Sequence, residues 1–284
     1  MTSILLPTDF SDNSINAIHY AVELFQDARC EFYFLNVQRA SSFVSDDLMT
    51  MQPSTTIYQN LIDTAKKSIE QIITDIKNQY HIDQHVYHSI VDYDNFIDAI
   101  CQTVDSKGID LIVMGTHGAT GAAQVLFGSN TVRVMQRGNC PVLAIPQHCK
   151  YKPIQRIAFT SNYYTAYKAE ELQPLLNLAQ KNKARIDVIH LIQDEPMSDE
   201  QVNNMAFLDG FFINLNHKFV NIDSQDLFET VEEYIQHHDI DLLAMMSRKH
   251  SFLERLFTRH TVETFAFKVS VPFLVMENTG AFMG

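Results

Sequence analysis

Short apolar runs alternate with longer amphipathic segments along the first half of the chain. β-Strands are predicted for the runs rich in branched and aromatic side chains, at residues 3–8, 30–38, 84–91, 110–115 and 141–146. Between them, apolar residues recur at helical spacing and predict helices over residues 13–28, 57–79, 95–107 and 130–137. Asp12 or Asn13 is the predicted N-cap of the first helix. Strands alternating with helices predict βαβ crossovers and a parallel sheet covered by helices on both faces.

The second half of the chain repeats this order. Residues 156–192 parallel residues 3–38, and residues 239–276 parallel residues 108–145. The matched anchors are Asp110 with Asp241, Phe127 with Phe257, Thr131 with Thr261, and Pro141 with Pro272. This self-match predicts a tandem duplication into two doubly wound α/β domains, each with a five-stranded parallel sheet, over residues 1–148 and 153–278. The last strand of each half should lie at a sheet edge, so we expect the two edges to pair as an intramolecular pseudo-dimer, with a homodimer of such chains as the alternative.

Composition narrows the classes of partner. The chain is 46% hydrophobic and 19% charged, with a formal net charge of −13, which is typical of a globular protein and argues against binding nucleic acid or an anionic membrane surface. The N-terminus lacks the pattern of a signal peptide, and no apolar run is long enough to span a membrane, so a cytoplasmic protein is expected. The four cysteines lack CxxC spacing and are interpreted as free thiols.

Glycine is concentrated in one window. Four of the nine glycines in the chain are Gly115, Gly118, Gly121 and Gly128, between a predicted strand and a predicted helix. Neither the P-loop pattern nor the dinucleotide GxGxxG pattern is present there. Backbone N–H groups at these glycines and at a helix N-terminus could hold a phosphate, because no Cβ blocks the approach and the helix dipole favours negative charge. The alternative is a glycine-rich turn that merely packs tightly.

The spacing Gly115-x2-Gly118-x9-Gly128-Ser129 resembles the nucleotide-binding motif of ATP-binding members of the universal stress protein family. The segments ILLPTDFS, DLIVMGTHG and CPVLAIP resemble the first, fourth and fifth strands of that family, and both halves share the resemblance. It implies an adenine nucleotide alpha hydrolase-like fold. The chain departs from the family at Ala119 and Thr120, where a basic or bulky residue often stands, and at VDYDN, which replaces a Gly-x-Pro turn.

The resemblance also implies a role for each matching residue of the first half. Adenine and ribose would be contacted by Pro7, Thr8, Asp9, Val37, Met114 and Gly115, and the phosphates by Gly118, Gly128, Ser129, Asn130 and Thr131. The implied ligand is ATP, or AMP or ADP, with Mg²⁺ bridging phosphate oxygens and water rather than protein side chains. For Asp9, a structural role as a helix-capping or turn carboxylate is the alternative.

The matching positions of the second half carry different residues. Met246, Lys249, Thr258 and Arg259 replace the glycines and the serine, and Asn162 replaces Asp9. The second half is therefore expected not to bind ATP in this way and to be mainly structural or partner-binding. Its loop at residues 247–260 is the one markedly basic stretch, interpreted either as an anion or partner site or, preferably, as a solvated loop.

Three functions remain open from the sequence. The first is a cytoplasmic stress-response protein that holds an adenine nucleotide as a regulatory or structural ligand and contacts a protein partner not identified by the sequence. The second is a slow ATPase, disfavoured because no lysine or arginine lies between residues 115 and 132. The third is a nucleotide-free scaffold. A metal site at His81, His85 and His88 is not expected, because a strand would point His85 and His88 to opposite faces and a surface position is the simpler interpretation.

Overall fold

The computed structural model describes residues 1–38, 55–93, 95–116, 128–137, 139–164, 166–192, 196–223, 227–247 and 270–277. The strands are β1 Thr2–Pro7, β2 Cys30–Val37, β3 Val86–Asp92, β4 Leu111–Gly115, β5 Val142–Ile145, β6 Arg156–Thr160, β7 Arg185–Ile192, β8 His217–Asp223, β9 Leu242–Ser247 and β10 Phe273–Glu277. The helices are α1 Asp12–Leu24, α2 Thr55–Tyr80, α3 Phe96–Lys107, α4 Ser129–Arg137, α5 Ala169–Asn182, α6 Asp199–Phe212 and α7 Leu227–His237.

The ten strands of the described residues form one sheet in the order β3-β2-β1-β4-β5-β10-β9-β6-β7-β8. Within each half the pairs are parallel, and the two halves have the same strand order read outward from the centre. The predicted fold class, two doubly wound five-stranded units, is therefore confirmed. The predicted boundaries at residues 148 and 153 fall in the connection between β5 and β6, and the division into two domains there remains a proposal.

The two halves meet through their last strands, which pair antiparallel within one chain. Leu274 lies opposite Leu143, and Val275 lies opposite Val142. Leu143 and Leu274 are also matched residues of the sequence repeat. A pseudo-twofold axis therefore passes through this leucine pair, and the carboxyl ends of the parallel strands point in opposite directions in the two halves.

Helices cover both faces of the sheet because alternate strand residues point to opposite sides. In β1, Ile4 and Leu6 pack in one core cluster with residues of α1, α2, α5 and α6. Leu5, between them, packs in the second cluster with residues of α3, α4 and α7. All three side chains have no exposed surface, so the central strands are buried on both sides, as parallel strands usually are.

The matched residues Asp110 and Asp241 have the same structural role in the two halves. Asp110 accepts a hydrogen bond from the N–H of Ser3 at 2.8 Å. Asp241 accepts from the N–H groups of Gln155 at 2.8 Å and Arg156 at 3.0 Å. Both carboxylates therefore satisfy backbone donors where the first strand of each half begins, and this local requirement explains why both halves carry aspartate there.

The cap and the end of α1 differ from the sequence prediction. Helix α1 is capped by Ser11, whose hydroxyl accepts from the N–H of Ser14, and not by Asp12 or Asn13. It ends at Leu24 rather than at residue 28, with Phe25 as the C-cap, and the amine of Lys181 from α5 donates to the Leu24 carbonyl there.

The expected surface position of His85 is also wrong. Strand β3 begins at Val86, one residue after His85, rather than at residue 84. His85 turns inward and is 6% exposed, and its Nε2 lies 3.2 Å from the Phe25 carbonyl oxygen and 3.1 Å from that of Ala28. Because both partners are carbonyl oxygens, Nε2 carries the proton that is donated. Burial lowers the pKa of His85, although these two carbonyls oppose the shift. Among the helices described, none is long and apolar enough to cross a membrane.

Candidate nucleotide site at the carboxyl edge of the first half

The strand order of the first half creates a crevice at a defined place. Strand β1 pairs with β2 on one side and β4 on the other, and α1, which follows β1, covers the opposite face of the sheet from α4, which follows β4. In open α/β sheets, ligands bind outside the carboxyl ends of the strands at such a switch point. Of the residues predicted to contact adenine and ribose, Pro7, Thr8 and Asp9 end or follow β1, Met114 and Gly115 end β4, and Val37 ends β2.

Helix α4 begins at this same edge and is tied to the end of β4. The N–H of Gly128 donates to the Thr116 carbonyl at 2.7 Å, and the Thr131 hydroxyl donates to the Gly115 carbonyl at 3.0 Å. Thr131 is 2% exposed, so its hydroxyl is committed to the protein and only its backbone N–H remains a candidate phosphate donor. The predicted phosphate residue Gly118 lies outside the described residues.

The cap of α4 has no side chain. The carbonyl of Gly128 accepts from the N–H of Val132 at 3.1 Å, which makes Gly128 the N-cap. The N–H groups of the first helical turn, at Ser129, Asn130 and Thr131, have no acceptor within the helix, and a glycine cap cannot supply one from its side chain. This leaves backbone donors and the positive end of the helix dipole together at the edge of the sheet, an arrangement that favours anions.

Gly115 has a packing role. A Cβ built on it would lie 2.6 Å from Nδ2 and 2.7 Å from Cγ of Asn13, and 3.0 Å from the Asn13 backbone oxygen. Asn13 is in the first turn of α1 and is 4% exposed. The absence of a side chain at Gly115 therefore allows the start of α1 to lie directly against the end of β4. For this glycine, the close-packing alternative has direct structural support.

Asp9 orders the turn that connects β1 to α1. Its Oδ1 accepts from the N–H of Ser11 at 3.1 Å and from the Ser11 hydroxyl at 2.5 Å. Phe10, with φ of 64°, donates its N–H to the Thr8 hydroxyl at 3.0 Å. Asp9 is thus a turn carboxylate, as the alternative interpretation held, and it is also exposed at the crevice.

Two polar residues that the sequence analysis missed support this edge. Asn36 donates from Nδ2 to the Thr8 carbonyl at 2.8 Å, and its Oδ1 accepts from Gln38 Nε2 at 2.6 Å. Asn36 is 4% exposed, so the amide fixes the end of β1 to the end of β2 beside the half-buried Val37. An asparagine inside the apolar strand CEFYFLNV was the available signal, because a buried amide needs a specific partner.

The second half repeats the turn with different side chains. Tyr163, with φ of 57°, donates its N–H to the Ser161 hydroxyl at 3.2 Å, and Asn162 Oδ1 accepts from the N–H of Tyr164 at 3.2 Å. His190 occupies the register position of Asn36, and its Nδ1 donates to the Ser161 carbonyl at 3.0 Å. The backbone of the turn is therefore shared, while the groups that surround it differ.

In the second half, the residue that corresponds to Gly115 affects where the neighbouring helix begins. By strand register Met246 stands at this position, and it is 4% exposed. The sequence repeat places the counterpart of Asp12 at residue 165, yet α5 begins only at Ala169. A side chain at this position is incompatible with a helical turn packed as in the first half. The later start of α5 is the expected consequence.

Strand order, helix placement and the carboxyl-edge crevice define a doubly wound α/β protein. The model of the Universal stress protein family matches residues 1–146. This match covers half of the chain, and the chain therefore belongs to the universal stress protein family.

Individual relatives agree with this assignment. The universal stress protein MJ0531 of Methanocaldococcus jannaschii is 28% identical over 142 residues, covering 50% of this chain and 80% of that protein. The universal stress protein MJ0577 of the same organism is 26% identical over 156 residues, covering 50% of this chain and 93% of that protein. The crystal structure of a universal stress protein from Archaeoglobus fulgidus covers 97% of this chain and 96% of its own, with 16% identity and a TM-score of 0.68. This last similarity extends the shared fold to both halves.

Proposed function

We propose that the first half binds an adenine nucleotide, ATP or alternatively AMP or ADP, as a regulatory or structural ligand in a cytoplasmic stress response. The observation that carries this proposal is the glycine-capped N-terminus of α4, tied to the end of β4 at the switch point of the sheet. Such an end offers backbone donors to phosphate in a chain whose net charge is −13. Membership of the universal stress protein family supports the choice of ligand.

Phosphate contacts are assigned to the start of α4. Gly128 allows the phosphate to approach the backbone, and the N–H groups of Ser129, Asn130 and Thr131 are the candidate donors. Gly118 remains assigned to the phosphates from its place in the motif. When bound, Mg²⁺ would neutralise phosphate charge through water and phosphate oxygens, without a ligand from a protein side chain.

Adenine and ribose are assigned to the crevice between β1 and β4. The turn after β1 is rigid, because the Thr8 carbonyl accepts from Asn36 and the Thr8 hydroxyl lies 3.0 Å from that of Ser14. Asp9 presents an exposed carboxylate, which can accept hydrogen bonds from ribose hydroxyls. Val37 is half-buried and supplies an apolar surface to the base, and Pro7, Met114 and Gly115 form the ends of the adjoining strands.

Binding is favoured over fast hydrolysis. Phosphoryl transfer requires positive groups that stabilise the charge developing on the transferred phosphoryl, and residues 115–132 contain no lysine or arginine. A slow ATPase and a nucleotide-free scaffold are the competing functions. For the second half we propose a mainly structural or partner-binding role, because the buried Met246 and the late start of α5 replace the arrangement that surrounds Gly115.

The test is to identify the small molecule released when freshly purified protein is denatured, and to titrate the protein with ATP, ADP and AMP with and without Mg²⁺ by calorimetry. The variant Gly128→Val places a branched side chain where the phosphate should approach. Gly210→Val is the matched control, because a Cβ at Gly210 meets no atom within 4 Å. Circular dichroism and thermal melting check that both variants fold.

We expect the natural chain and Gly210→Val to bind an adenine nucleotide near stoichiometrically. Gly128→Val should bind at least about tenfold more weakly, a loss of ~1.4 kcal/mol. If the two variants bind nucleotide with equal affinity, the phosphates do not bind at the start of α4. If no nucleotide binds at millimolar concentration, the scaffold is the better account. Conversion of bound ATP to ADP within hours would favour the slow ATPase.

A further inference from the structure

Helix α6 carries large apolar side chains on both its inner and its outer side. Its inner side packs Leu208 and Phe212, both without exposed surface, into the core. Its outer side exposes 45% of Val202, 66% of Phe207 and 74% of Ile213, the residue that follows the last turn. The outer side of a surface helix is normally polar, so three large apolar side chains exposed on or beside α6 are an exception to that pattern.

The exposed residues form one continuous surface. At about 100° per residue, Val202, Ala206, Phe207, Gly210 and Ile213 fall in a single arc of the helix surface. We call this surface the outer face of α6. The polar side chains within the arc are those of Asp199 and Asn203, and Asp209 lies just outside it. Ala206 and Gly210 lie between the larger residues and give the surface a shallow centre.

This concentration is unusual within the described part of the protein. Its exposed large hydrophobic residues are Met1, Val86, Tyr164, Val202, Phe207 and Ile213. Three of the six lie on or beside α6, and Tyr164 belongs to the loop that α6 holds. That loop is fixed by Gln201 Nε2, which donates to the Asn162 carbonyl at 2.9 Å, and by Asn204 Nδ2, which donates to the Tyr163 carbonyl at 2.8 Å.

The helix at the corresponding place in the first half is different. Helix α2 also follows the second strand of its half and covers the same face of the sheet. Its exposed residues include Asp63, Lys66, Lys67 and Glu70. Helix α2 is therefore amphipathic in the ordinary way, and the apolar outer face is a property of α6 alone in this pair.

The charges around the outer face indicate the chemistry of its occupant. Asp199 and Glu200 are exposed in the first turn of α6, and Asp209 is exposed where it pairs with His217 at 2.8 Å. A second copy of this chain, with its net charge of −13, would bring the same acidic residues to the contact. Basic residues beside an apolar surface complement this face instead.

The size of the face also limits the occupant. A helix of 14 residues is ~21 Å long at ~1.5 Å per residue. One side of such a helix offers far less than the ~800 Å² per partner of a standard stable interface. The area suits one docked helix better than a dimer that depends on this face alone.

We propose that the outer face of α6 docks an amphipathic helix of a partner protein, with an apolar side against Phe207 and Ile213 and basic residues opposite Asp199 and Glu200. Phe207 is the anchor, because it is the largest apolar side chain exposed on this face and aromatic side chains contribute most to the affinity of small interfaces. Ala206 and Gly210 allow the partner helix to approach closely. This surface is independent of the nucleotide site.

The probe is a labelled synthetic peptide of leucine and lysine in a helical repeat, with a leucine–glutamate peptide as its counterpart. Fluorescence anisotropy measures binding of each to the full chain. Phe207→Asp removes the anchor but adds a negative charge, so attraction by charge alone would strengthen the binding of the basic peptide, whereas docking on the apolar face would weaken it. Val86→Asp is the matched control, because it adds the same charge at an exposed apolar residue of β3.

We expect the basic peptide to bind the natural chain and Val86→Asp similarly, and Phe207→Asp at least about tenfold more weakly, a loss of ~1.4 kcal/mol. Phe207→Ser, which adds no charge, should also weaken binding, and thermal melting checks that each variant folds. Unchanged or tighter binding by Phe207→Asp, equal binding of the acidic peptide, or no binding of the basic peptide would each overturn the proposal. If sedimentation shows that the natural chain is a dimer and Phe207→Asp a monomer, a second copy occupies the face instead.

Discussion

The hydroxyl of Tyr163 should destabilise the folded protein. Tyr163 has no exposed surface, and its hydroxyl has no hydrogen-bond partner among the described residues. Its ring packs against His190 with centroids 4.7 Å apart. Tyr163→Phe keeps this ring contact and the backbone φ of 57°, since both residues carry the same Cβ. The substitution therefore removes one buried polar group and little else.

The expected magnitude follows from the cost of an unsatisfied polar group. Leaving a buried donor without a partner costs ~1–3 kcal/mol. We expect Tyr163→Phe to raise the free energy of unfolding by ~1 kcal/mol, at the lower end of that range. Since ~1 kcal/mol shifts the melting temperature of a chain of 150–250 residues by ~2–4 °C, a rise of ~2 °C should be measurable.

Tyr167 provides the matched control. It is 8% exposed, and its hydroxyl lies 2.6 Å from that of Ser161 in a hydrogen bond. Tyr167→Phe should lower the free energy of unfolding by ~1 kcal/mol, because a satisfied bond is lost. Urea unfolding followed by circular dichroism measures both variants, provided that the m-value is unchanged. If Tyr163→Phe destabilises the protein as much as Tyr167→Phe, the reasoning about the unsatisfied hydroxyl is refuted.

Two further predictions concern packing and pH. Gly115→Ala should lower the free energy of unfolding by ~1–3 kcal/mol, because its Cβ would lie 2.6 Å from Asn13 Nδ2. In the same urea assay, Gly210→Ala should raise the free energy of unfolding by ~0.5–1 kcal/mol, since open space surrounds that helical position. If the two substitutions change the free energy of unfolding equally, the packing role of Gly115 is contradicted. Burial lowers the pKa of His85 below 6.5, so the unfolded state binds more protons and stability falls as pH drops from about 7 to 5. The urea midpoint should therefore fall less between pH 7 and pH 5 in His85→Gln than in the natural chain. An identical fall in the two proteins would exclude a contribution of His85.

Most of the architecture could be predicted from the sequence, because periodicity reports directly which residues face a core. The runs at 3–8 and 30–38 are β1 and β2 nearly to the residue. The exact end of α1 could not be predicted. There Phe25 is the C-cap and Lys181, a residue 157 positions away from Leu24, donates to the Leu24 carbonyl, and periodicity within the helix does not report such contacts.

The candidate site was predictable in type but not in detail. The motif located Gly115 and Gly128 at the carboxyl edge, and both lie there. The sequence could not separate the packing of Gly115 against Asn13 from ligand approach, because both require the absence of a side chain. His85 was misplaced for a related reason: alternation assigns a face only within a strand, and β3 begins one residue after it.

The pairing of β5 with β10 has a consequence for how the two halves can differ. In a symmetric homodimer every substitution appears on both sides of the axis. Here one chain supplies both sides, so the two halves can change separately. Leu143 and Leu274 remain identical where they face each other on the axis, whereas Gly115 and Met246 differ at positions away from it. The covalent connection also makes this pairing insensitive to dilution. The assembly can therefore keep one specialised edge and one altered edge at any protein concentration, which an exchanging dimer of identical chains cannot do.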